Sequence, residues 1–132
     1  MNTVIVTRHS GAVEWLRSQG ITGDVVQHVT DVVQISGKRV VGALPLHLAC
    51  HAAAVGSIDM PGLRPEQRGQ DLTAEEMEAA GAAIQWYVVA TERQWAAVAE
   101  AARELPWFAF AGHLAEKANQ AVAALQQRGE WE

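Results

Sequence analysis

The segment Thr7-Arg8-His9-Ser10-Gly11 sets a cation, an imidazole and a hydroxyl side by side. It lies between a β-branched run and a helical pattern, where the unpaired N–H groups and the positive dipole end of a helix favour an anion. Thr7, Arg8, Ser10 and backbone amides there suit a phosphate, whereas Ser10 taken alone reads as a helix N-cap. Leu44-Pro45-Leu46-His47 repeats the arrangement one unit later, with His51 four residues on. Two histidines at that spacing share a helix face, but a catalytic zinc needs a third protein ligand, and no HExxH-type pattern supplies one, so no metal or other cofactor is expected. Cys50, between them, reads as a small core residue. In Arg64-Pro65-Glu66-Gln67-Arg68-Gly69 two arginines and a glutamate occupy the long polar loop of the first half. Such a loop is ordinarily a solvated surface, yet Gly69 would let the backbone turn so that Arg68 folds over a ligand. With no G-x-G-x-x-G, Walker lysine motif or G-x-S-x-G elbow, what remains is a cleft of cations and histidines suited to a phosphodiester.

The elements that must position these groups follow from pattern. Thr3 to Thr7 predicts a strand buried on both faces, followed by a helix from Ser10 that stops at Gly20. Asp24–Val29 and Lys38–Leu44 predict two further strands, joined by a passage through Asp31 and Ile35 with room for a short extra strand. Pro45 suits the first turn of a helix through Ala54 closed by Gly56, and Ser57–Met60 reads as a fourth strand. Thr73-Ala74-Glu75-Glu76 matches a capping box, with Met77, Ala80 and Ile84 inward, and Gln85–Val89 reads as a fifth strand, with a continuation of the helix fitting nearly as well. Thr91 caps a helix through Glu104, Pro106 breaks it, and His113–Arg128 carries the spacing of a last amphipathic helix. Alternation of strands and helices indicates an α/β fold with a mostly parallel sheet, helices on both faces and a helical C-terminal part. Ligands of such sheets bind beyond the carboxyl ends of the strands, so Thr7–Ser10, Leu44–His47 and Met60–Gly69 are expected to meet there.

A chain of 132 residues, 49% apolar and 19% charged, is one domain with an ordinary packed core. One cysteine excludes a disulfide scaffold and a zinc ribbon, and with no basic leader or bilayer-length apolar run a cytoplasmic protein without membrane attachment is expected. A net charge of −5 argues against duplex nucleic acid as a partner. Charge is unevenly placed, however. Residues 1–68 carry six basic and five acidic side chains, and residues 69–132 carry four and ten, so a small anion would be received by the first half.

Val6–Trp15, Val41–Ala49 and Arg68–Met77 together resemble the successive motifs of a small CRISPR-associated family, the sixteenth of the Csx series. The likeness spans residues 3–90, and residues 91–132, with Trp95, Trp107 and Trp131, form a helical extension outside it. The resemblance implies a single Rossmann-like domain similar to the CARF sensor domains. It also implies a homodimer that acts as a ring nuclease of type III CRISPR systems, binding and cutting cyclic oligoadenylate, chiefly cyclic tetra-adenylate, to switch off antiviral signalling. On that view Arg8, Ser10, Thr7, Leu44, Pro45 and Arg64 bind the ligand. Arg68 stabilises developing charge, and His47 or His9 moves a proton. The homodimer would present the cleft twice to a symmetric ring, with apolar surface and the C-terminal tryptophans at its interface. A noncatalytic binder of the same messenger, and a structural domain of an effector complex, are the competing readings.

Overall fold

A computed structural model describes residues 2–106, 108 and 112–131. The chain divides into two compact units, Met1–Val89 and Ala90–Glu132.

In the first unit, β1 (Thr3–Val6) leads into α1 (Ser10–Ser18), then β2 (Asp24–Val26), a 3-10 turn (Val32–Gln34) and β3 (Arg39–Val41). There follow α2 (Leu46–Ala49), β4 (Ala54–Asp59), a second 3-10 turn (Pro65–Gln67), α3 (Ala74–Ala79) and β5 (Ala83–Tyr87). The five strands form one sheet in the order β2-β1-β3-β4-β5. All neighbours are parallel except β4 and β5, which pair antiparallel with Val55 opposite Tyr87 and Asp59 opposite Ala83. The unit is thus the Rossmann-like α/β fold expected.

Side chains alternate across a strand, so adjacent residues of the central strands supply two separate cores. Val4 and Val40 face one way, onto Ile35, Ala49 and Ala52. Ile5 and Val41 face the other, onto Trp15 and Leu16 of α1 and Met77 of α3. Trp15 is buried to 2% exposure, and its indole Nε1 donates to Glu78 Oε2 at 2.8 Å, which satisfies the polar end of a large apolar group and ties α1 to α3. Arg39 stacks over Trp86 with its guanidinium carbon 3.9 Å from the ring centroid. The helix starts of α3 and of the first 3-10 turn carry reciprocal caps, Thr73 with Glu76 and Asp31 with Gln34.

Several boundaries differ from expectation. The passage after β2 holds a 3-10 turn and not the short extra strand it had room for, because the Asp31 side chain accepts from Val33 N and bends the backbone into a turn. The helix expected from Pro45 through Ala54 ends at Ala49, and β4 begins at Ala54 in register with Arg39 of β3. The β2 and β3 strands are also shorter than predicted.

In the second unit, α4 (Glu92–Ala102) and α5 (His113–Gln127) pack through Ala96, Ala99 and Ala102 against Ala118, Ala121, Val122 and Leu125, small residues that allow close approach. Thr91 caps α4 as predicted, its side chain accepting from Gln94 N. Trp95 and Trp131 pack on this unit's own core, and Trp131 Nε1 donates to Glu100 Oε1 at 2.8 Å. Trp107, named above for a dimer interface, lies outside the described residues. Arg128 bonds Glu130 and Glu92, and these bonds hold its guanidinium above the ordinary arginine range. Among the described residues no helix is long and apolar enough to cross a membrane.

Candidate functional site

The strand order reverses direction between β1 and β3, since the chain passes from β1 outward to β2 and then returns to the other side of β1. That is where a crevice opens at the carboxyl ends of the strands. Gly42 sharpens it. At φ +138 it adopts a conformation that other residues rarely take, and a Cβ there would collide with the Val6 carbonyl, so glycine lets the ends of β1 and β3 come together under the crevice.

The result is a cavity of about 380 Å³ lined by Thr7, Arg8 and His9 after β1, Gly42 and Ala43 after β3, and Ser57 of β4. A second cavity of about 410 Å³ shares Thr7, Arg8, His9 and Gln27 and adds Ser10, Glu14, Arg17 and Val25. A third, smaller and largely apolar, lies between His9, Ile58, Met60, Leu72 and Met77. His9 borders all three.

Local sequence explains this placement. Thr7 N donates to Val26 O at 2.9 Å, and Thr7 Oγ1 accepts from His9 N at 3.1 Å, which holds the turn out of β1. The N-cap of α1 is His9, with extended backbone, and Ser10 is the first helical residue; the expected serine cap is therefore displaced by one position. No side chain caps this helix, so its first N–H groups are turned toward the crevice end of α1 without an intramolecular side-chain acceptor. Together with Arg8 and Arg17 they make this end electropositive, while among the described residues Glu14 is the one acidic side chain lining either of these two cavities.

His9 Nδ1 pairs with Asp71 Oδ1. Asp71 lies on the polar loop before α3, and the loop is pinned there by its neighbour. Leu72 packs into the core beside Met77, and its carbonyl sits so close to Gly11 that a Cβ on residue 11 would overlap it. Gly11 is buried in the first turn of α1, so α1 and this loop meet backbone to backbone.

Of the sequence-derived residues, Thr7, Arg8, His9 and Ser10 come together around the cavities. The second segment contributes Gly42 and Ala43 in place of Leu44 to His47. Leu44 packs on the core of one sheet face, Pro45 is the N-cap of α2, and His47 is exposed on that four-residue helix. His51 falls beyond the end of α2, so the two histidines share no helix face. Cys50 is half-buried, its Sγ 3.5 Å from the His47 carbonyl. Arg64 is engaged locally, with Gln67 Oε1 and Glu66 Oε1 each at 3.5 Å from its Nε, and it borders a separate cavity with Gly62 and Glu76. Arg68 is exposed at the end of the second 3-10 turn, and Gly69 beside it takes the positive φ of +78 that a tight reversal needs. Three residues of the site carried no sequence signal of their own: Gln27 at the end of β2, Ser57 in β4 and Asp71. Asp71 was visible only as one residue of the Arg68–Met77 motif, with nothing to single it out.

A family model described as "Putative CRISPR-associated protein (Cas_VVA1548)" matches residues 4–90, which takes in all of the sheet but Thr3 and every residue of the crevice. No curated protein and no solved structure matches the chain.

Proposed function

The chain belongs to this CRISPR-associated family, and from that premise we propose that it is a ring nuclease that binds cyclic oligoadenylate, with cyclic tetra-adenylate the expected ring, and cleaves it. The observation that carries the reading is the crevice at the ends of β1 and β3, where an uncapped helix N-terminus, Arg8 and His9 border one cavity. Uncapped N–H groups and an arginine suit a phosphate, and an imidazole beside them suits proton transfer to or from an adjacent oxygen.

The reaction needs no external nucleophile. A ribose 2′-oxygen attacks the neighbouring phosphorus, the bond from phosphorus to the 5′-oxygen breaks, and the products carry a 2′,3′-cyclic phosphate and a 5′-hydroxyl. The proton lost by the 2′-hydroxyl passes to a base, and the leaving 5′-oxygen takes up a proton. Arg8 and the α1 amides hold the phosphate so that attacking and leaving oxygens lie in line. His9 moves the proton. It is favoured over His47 in this role because it borders the cavity and His47 does not. Arg68 is assigned the charge developing on the phosphoryl oxygens, brought in by the loop that also carries Asp71. The protein would act as a homodimer that offers a crevice to each side of the ring.

Purified protein incubated with cyclic tetra-adenylate in EDTA, with products separated by chromatography, tests the proposal. Linear product ending in a 2′,3′-cyclic phosphate is expected. Intact ring retained by the protein would select noncatalytic binding, and no retention at all would reject both.

A further inference from the structure

The contact between His9 and Asp71 joins two segments that nothing in local sequence brings together. It is also poorly suited to a stabilising role. Asp71 is 82% exposed and His9 50% exposed, and ion pairs in that setting contribute little to folding. Yet the backbone on both sides of the contact is anchored. His9 is held by its N–H to Thr7 Oγ1 and by its place as N-cap of α1. Asp71 is held by Leu72, which is packed into the core and set against Gly11.

An imidazole has two nitrogens, and the hydrogen bond made by one decides which of them carries the proton in the neutral ring. A carboxylate accepts only, so Asp71 requires a proton on Nδ1. That leaves Nε2 unprotonated in the neutral form, as the ring nitrogen that Asp71 does not engage, on a histidine that borders both cavities. We infer that Asp71 is a positioning residue that fixes His9 as its Nδ1–H tautomer and orients the ring so that Nε2 serves the crevice as proton acceptor. As a role in cleavage this rests on the ring-nuclease reading; as a statement about the histidine it does not. Asp71 touches no substrate in this scheme and acts through His9 alone.

The test pairs a spectroscopic readout with kinetics. Two-bond ¹H–¹⁵N correlation spectra of the parent, above the imidazole titration, should show His9 as the Nδ1–H tautomer. In Asp71→Ala it should change toward Nε2–H, and in Asp71→Glu the parent tautomer should return at least in part. With cyclic tetra-adenylate, Asp71→Ala should lower kcat on the order of tenfold with KM unchanged, less than the hundredfold or more expected for His9→Ala, since positioning is only part of what a general base contributes. The double variant should be no slower than His9→Ala, because both changes act on one group. An unaltered tautomer in Asp71→Ala, or unaltered kcat alongside a large loss in His9→Ala, would overturn the inference. If the parent leaves the ring intact, the ring-nuclease reading fails, and the tautomer of Asp71→Ala still decides whether Asp71 orients His9.

Discussion

Replacing Gly11 by alanine sets two effects of opposite sign against each other. Gly11 lies inside α1 and outside the left-handed region, so helix propensity alone would favour alanine by about 1 kcal/mol. The new Cβ, however, would overlap the carbonyl oxygen of Leu72, which is backbone and has no rotamer by which to withdraw. Forcing a methyl into a packed contact costs about 1–3 kcal/mol, and a backbone neighbour places this site toward the upper end. The steric effect therefore wins, with a net loss of about 1–2 kcal/mol. For the unit Met1–Val89, where each kcal/mol moves the midpoint by about 4–8 °C, this corresponds to a Tm lower by roughly 5–15 °C. Thermal and urea denaturation followed by circular dichroism would measure it. The same displacement should carry Asp71 away from His9, so the His9 tautomer should change as in Asp71→Ala. A Gly11→Ala protein as stable as the parent, with His9 unaltered, would show that the loop is free to yield and that the backbone contact does not position Asp71.

Thr73→Ala removes the side chain that accepts from Glu76 N and should cost about 1 kcal/mol in urea denaturation, with Thr73→Ser close to the parent. Arg8→Ala should weaken ring binding, measured directly, because Arg8 borders both larger cavities, and raising the salt concentration should narrow its difference from the parent. His47→Ala should cleave bound ring at the parent rate in single-turnover assays with saturating enzyme, while Arg68→Ala should slow it by on the order of a hundredfold. A slow His47→Ala would return the proton transfer to that residue.

What was legible in the sequence was what short-range chemistry decides. The Thr73–Glu76 box and the Thr91 cap are fixed by residues within three of each other, and both caps stand where the pattern put them. The turn out of β1, with Arg8, His9 and Ser10, was legible because a β-branched run followed by a small polar residue marks a strand passing into a helix. The α2 boundary was not. The alanine-rich stretch from residue 49 to 54 reads as helix, but pairing of Ala54 and Val55 with Arg39 and Val40 recruits its end into the sheet, and tertiary pairing overrides local propensity. The antiparallel setting of β5 was hidden for the same reason, since a strand's own residues do not state the direction of its neighbour. Asp71 could not be singled out, because its partner is on the far side of the unit in sequence and its identity as a site residue comes only from that meeting.

That distance also orders the assembly of the crevice as the chain is made. Domains tend to form from the N-terminus as synthesis proceeds, and contacts between remote segments wait on closure of long loops. β1, β2 and β3 are all complete by Val41, so the floor of the crevice and the turn bearing Arg8 and His9 can form from the first third of the chain. Leu72 and Asp71 arrive only after β4 and the loop that follows it. A nascent chain halted before Asp71 would hold the half of the crevice that carries Arg8, with His9 lacking its Asp71 partner. On the proposed reading, competence to move a proton would then come as one of the last events in the making of this unit.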